Sequence, residues 1–141
     1  MNTVFADSVY WIARINPEDQ WHREAVAARQ RHSEADVATT EDVLVEVLTY
    51  FGGLGADVRQ TAARVTWAIL EDPAVEVIPH TSETFLEGLK LYEARLDKSY
   101  SMVDCMSMVI MRDRDIQEVL TNDDHFAQEG FTVLLGNDSP G

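Results

Sequence analysis

Short apolar runs bounded by turn residues recur along this chain, and most are followed by a longer stretch of helical periodicity. Val4-Phe5-Ala6, within residues 3–6, is the first, and Asp7-Ser8 closes it. Residues 36–39, 75–78, 118–121 and 132–135 repeat the pattern. Runs of this length, rich in valine and isoleucine, suit strands buried on both faces. Between them, residues 9–15, 17–31, 40–51, 57–70, 82–96 and 102–112 read as helices. Asn16-Pro17 with Glu18 and Asp19 offers a helix start, and either Thr39 or Thr40 offers another ahead of Glu41 and Asp42. Thr39 and Asp42 also have capping-box spacing, and Phe85, Leu89, Tyr92 and Leu96 share one helical face. Strands alternating with helices imply an α/β fold with a parallel sheet covered on both sides.

The chain has 141 residues, enough for one domain that buries roughly two thirds of its unfolded surface. Residues 1–135 form that domain and 136–141 a loose tail. No stretch reaches the ~18 apolar residues of a membrane span, and the start lacks the positive and apolar regions of a secretory signal. A cytoplasmic location is therefore expected. The single cysteine, Cys105, lies in an apolar helical run and reads as a small core residue. The tryptophans Trp11, Trp21 and Trp67 read as core or interface. A net charge of −14 repels nucleic acid at long range and favours cations or basic partners.

Four acids stand out by position. Asp7 and Asp123 follow strand-like runs, and in a parallel sheet both strand ends lie on one edge, where open α/β sheets bind ligands. Glu46 interrupts the apolar arc of Val43, Leu44, Val47 and Tyr50. Asp104 heads the run Cys105 to Ile110. Each has an ordinary alternative: Asp7 and Asp123 as helix caps, Glu46 as a solvated edge residue, and Asp104 as the acid of a Ser101-x-x-Asp104 capping box. Together they form an oxygen-rich set suited to a hard divalent cation such as Mg²⁺ or Mn²⁺. The histidines His22, His32, His80 and His125 lack the spacing of a zinc site, although His125 is close enough in sequence to Asp123 to assist.

The order and spacing of Asp7-Ser8, of Glu46 in Val45-Glu46-Val47-Leu48, of the stretch from Asp97 through Asp104 to Cys105, and of Leu120-Thr121-Asn122-Asp123-Asp124-His125-Phe126 resemble those of PIN-domain proteins. The likeness is to VapC-type toxins and extends to about Leu135. It implies a three-layer α/β/α sandwich with parallel strand order 3-2-1-4-5. It further implies an Mg²⁺- or Mn²⁺-dependent ribonuclease in which Asp7, Glu46, Asp104 and Asp123 form the acidic quartet. Ser8 and Thr121 would support it, and Asp124 would stand beside it. Expected partners are RNA, a VapB-type antitoxin with a basic segment, and a second copy in a homodimer.

Two other classes compete. A phosphoryl-accepting domain would also place an acid after the first strand. A phosphatase of that kind needs an acid where Val9 stands, however, and a receiver needs paired acids and a late lysine. A non-catalytic PIN module that binds metal or a basic partner would keep the same motifs.

Overall fold

The structure is a computed structural model that describes residues 2–136, so residues 137–141 of the expected tail lie outside the described residues. Five parallel strands form one sheet in the order β3-β2-β1-β4-β5. They are β1 (Thr3–Ala6), β2 (Asp36–Thr40), β3 (Val75–Ile78), β4 (Glu118–Leu120) and β5 (Thr132–Val133). Seven helices connect them: α1 (Ser8–Ile15), α2 (His22–Arg31), α3 (Glu41–Gly52), α4 (Ala56–Glu71), α5 (Ser82–Ala94), α6 (Met102–Asp113) and α7 (Asp124–Gln128).

The strand order dictates the layers. The chain steps outward from β1 through β2 to β3, then returns past β1 to β4 and β5. Because β-crossover-β connections are right-handed, a reversal of direction puts the later helices on the opposite face. Thus α1 packs on α2 and α3, with α3 on α4, while α5 packs on α6 and α6 on α7. The reversal falls between β1 and β4, whose register pairs Ala6 with Leu120. The sheet is buried on both sides: Val4, Phe5 and Ala6 of β1 and Val119 and Leu120 of β4 are fully buried.

Side-chain bonds adjust several helix ends. Thr40 caps α3 by accepting from Val43 N–H at 3.0 Å. Thr39 instead donates to the carbonyl of Ala6 at 2.8 Å and accepts from the Trp11 indole at 3.2 Å, tying β2 and α1 to the end of β1. A Thr39–Asp42 capping box therefore does not form. The helix expected over 17–31 begins only at His22. Asn16 captures the N–H of Glu18 and Asp19 that of Trp21, so these side chains close turns rather than start a helix.

Helix α5 departs from the sequence expectation in another way. Phe85, Leu89 and Tyr92 of its apolar row share a face but remain exposed (43%, 41% and 49%), and Leu96, expected on the same face, lies beyond the end of the helix at Ala94. The buried residue is Gly88. A Cβ there would fall 2.7 Å from Met106 Cγ, so the glycine permits close contact between α5 and α6. Trp11 is in the core, whereas Trp67 is 65% exposed. Among the described residues, no helix is long and apolar enough to cross a membrane.

Candidate metal centre

The carboxyl ends of β1 and β4 form the floor of an acidic mouth. The N–H of Asp7 donates to the Leu120 carbonyl at 3.3 Å, so the first residue after β1 sits beside the last of β4. Thr121 then donates its hydroxyl to Asp7 Oδ2 at 2.9 Å and accepts from Asp123 N–H at 3.1 Å. One buried hydroxyl thereby holds both strand ends.

Asp104 enters from the first turn of α6, where the capping box forms in full. Ser101 Oγ accepts from Asp104 N–H at 3.0 Å, and Asp104 Oδ2 accepts from Ser101 N–H at 3.1 Å. Capping and facing the site are compatible because a carboxylate has a second oxygen. Asp123 caps α7 by accepting from His125 N–H at 2.9 Å. Glu46 reaches in from α3 and is half-buried.

The electrostatics of this mouth are unfavourable as they stand. Asp7 is 3% exposed. Burial, and then the negative charge of Asp104, push its carboxyl up to about 7, against the opposing pull of the Ser8 N–H and the Thr121 hydroxyl. Burial also raises Glu46, with the Ser8 hydroxyl opposing and the charges of Asp104 and Asp123 adding to the rise. Among the described residues, neither lysine nor arginine forms an ion pair with Asp7, Glu46, Asp104 or Asp123; the basic partner present is His125, 3.0 Å from Asp104 and 3.3 Å from Asp123. Ligand atoms of Asp104, Asp123 and His125 all lie within 4.8 Å of one another.

Crowded carboxylates, partly desolvated and without a fixed cation of their own, match the donor set of a hard divalent ion. The residues present therefore fit such a metal.

The structure brings Asp7, Thr121, Asp104 and Asp123 to one mouth, and the mutual influence of their charges places Glu46 and Ser8 there too. Asp124 is exposed as the first residue of α7. Two features escaped the sequence: α7 itself, and the bridging position of His125 between two acids. The Asp-x-His spacing hinted at the second, but Asp104 is 21 residues away.

The PIN domain family matches residues 4–131. Among solved structures, the chain is similar to Mycobacterium tuberculosis VapC20, described as a sarcin-ricin loop cleaving toxin. The likeness has a TM-score of 0.80 at 26% identity and covers 92% of this chain and 96% of that one. No curated protein has a significantly similar sequence.

Proposed function

The chain belongs to the PIN domain family, and from that premise we propose that it is a divalent-metal-dependent endoribonuclease of the toxin type. The observation that carries this reading is the cluster of acids at the β1–β4 switch point, which among the described residues has no lysine or arginine partner, with Asp7 pushed up to about 7. The relative of similar structure, VapC20, cleaves RNA at the sarcin-ricin loop. Asp7, Glu46, Asp104 and Asp123 would hold Mg²⁺ or Mn²⁺. A bound ion supplies charge neutralisation at the phosphate and acidifies the attacking water.

The chain's own groups do the rest. Thr121 keeps one Asp7 oxygen engaged, and Ser101 does the same for Asp104, so that each acid keeps a fixed orientation. A carboxylate not fully used in coordination orients the water for in-line attack and takes its proton. Glu46 suits that role because it is half-buried and its proton affinity is raised. No covalent protein nucleophile is needed.

The same negative mouth would receive a basic segment of an antitoxin, which would compete with both metal and RNA. A homodimer is part of this proposal, as is a cytoplasmic site of action.

The direct test incubates the purified chain with Mg²⁺ or Mn²⁺ and a panel of structured RNAs that includes a sarcin-ricin loop and transfer RNAs. A discrete cut that disappears in chelator and in Asp104→Asn supports the proposal. If no RNA in the panel is cut, or if Asp104→Asn cuts as well as wild type, the nuclease reading fails. A chain that binds Mn²⁺ without cutting would leave the non-catalytic module in its place.

A further inference from the structure

His125 stands between two of the acids and is fixed from several sides. Its Nδ1 lies 3.0 Å from Asp104 Oδ2 and 3.3 Å from Asp123 Oδ1. Ionised carboxylates only accept hydrogen bonds, so this nitrogen carries a proton and donates it. The other ring nitrogen, Nε2, is 3.2 Å from the Ser99 hydroxyl. The ring also packs at a tilt on Tyr100, with centroids 5.4 Å apart.

Tyr100 is itself anchored away from the mouth. Its phenol donates to Glu129 Oε1 at 2.8 Å. Arg95 grips that carboxylate through two bonds of 3.0 and 2.7 Å, and Arg112 adds a third at 3.0 Å. The imidazole is thus held by groups that take no part in the acid cluster.

The bonds on the acids are asymmetric. Asp104 Oδ2 receives both Ser101 N–H and His125 Nδ1–H, and Asp123 Oδ1 receives the backbone N–H of His125, with the ring Nδ1 3.3 Å from that same oxygen. Among the described residues, neither Asp104 Oδ1 nor Asp123 Oδ2 receives a hydrogen bond.

We infer that His125 is a positioning residue: it fixes the side chains of Asp104 and Asp123 so that their remaining oxygens are offered to the cation, and it does not bind the cation itself. This rests on the metal site proposed above. Either imidazole nitrogen would have to give up its present partner to become a ligand. The arrangement also counters the tendency of two neighbouring carboxylates to swing apart, and outer contacts of this kind commonly govern metal affinity.

The test titrates the full-length protein with Mn²⁺ alone, following free ion by electron paramagnetic resonance, in wild type and in His125→Ala, His125→Asn and His125→Gln. Melting curves establish that each variant is folded. Loss of the donor in His125→Ala should weaken Mn²⁺ binding about tenfold. His125→Asn should recover most of that loss, because the asparagine amide overlays Nδ1, while glutamine, which reaches toward the Nε2 position, should not.

Wild-type affinity in His125→Ala overturns the inference, and so does an asparagine variant as weak as alanine. Absence of Mn²⁺ binding by wild type would instead overturn the metal site itself. A second measurement needs no variant. The ¹⁵N resonances of both His125 ring nitrogens, followed by NMR, should stay in place on Mg²⁺ saturation with Nδ1 still protonated, and loss of the Nδ1–H or a coordination shift at Nε2 would make His125 a ligand.

Discussion

Asp7 and Glu129 each hold a carboxyl shielded from water, yet their surroundings are opposite. The Glu129 side chain, 4% exposed, is met by two guanidinium groups and a phenol. Bonds from Arg95 lead the set that holds its carboxyl down to about 2. Asp7 is buried as a whole residue but meets other acids, and desolvation carries its carboxyl up to about 7. The chain has 11 lysines and arginines against 25 acids, and it spends two of those arginines on Glu129. A carboxylate that serves packing is neutralised from within. The mouth, by contrast, is balanced only when something from outside enters it.

The sharpest way to break this contrast is to exchange the consequences. Asp104→Asn should reduce RNA cleavage by about a thousandfold, the scale of losing several kcal/mol of transition-state stabilisation, while the urea midpoint stays near wild type. A large loss of folding stability in that variant would make Asp104 as structural as Glu129. Conversely, Glu129→Gln leaves Arg95 and Arg112 facing a neutral group. It should cost about 3 kcal/mol in urea unfolding, at the lower end for broken buried pairs because both arginines are partly exposed. An unchanged midpoint would remove one side of the comparison.

Metal should affect one region alone. Mn²⁺ at a hundred times its dissociation constant stabilises a folded state by about 2.7 kcal/mol. A calorimetric melting point several degrees higher is therefore expected for wild type, and for Glu129→Gln by a similar increment, but not for Asp7→Asn. Equal shifts in all three proteins would point to binding elsewhere.

Acidity sharpens the contrast further, because the two shifts have opposite signs. Folded Asp7 holds its proton more tightly than the unfolded chain does. The metal-free protein should therefore lose stability as pH rises from about 4 to about 7, a loss that Asp7→Asn removes. Folded Glu129 holds its proton less tightly. Its stabilisation is full above the ordinary glutamate range, near 4.5, and is lost as pH falls toward 2. Denaturant midpoints across pH 2 to 8 read both windows, and a flat profile between 4 and 7 would contradict the account of Asp7. The smallest effect is expected of Thr121→Val. Losing one hydroxyl on Asp7 should cost about 1 kcal/mol and move the Asp7 window upward.

Much of the fold was legible because its strands are short apolar runs closed by turn residues, and residues 3–6 and 75–78 coincide with β1 and β3. Asn16 misled because the side chain that caps a helix also closes a turn, and only the neighbouring backbone decides between them. The apolar row of α5 misled because helical spacing shows that residues share a face, not that another element covers it. Here the covered side is the one with a glycine. In the site, acids at strand ends could be read from the pattern. The link from His125 to Asp104 could not, since it depends on how α6 and α7 meet. Glu129 gave no signal at all: it ends a polar stretch after Phe126, and Arg95 and Arg112 decide its burial from elsewhere in the chain.

The hydrogen bond between Thr121 and Asp7 spans 114 residues, and this sets an order in time. At ~5–20 residues per second of synthesis, the first strand waits several seconds or more for the neighbour that completes its edge. No amino-terminal fragment ending before Asp123 contains the full set of acids. The proposed cleavage therefore needs every residue through Asp123, and a chain made only as far as Asn122 could not carry it out.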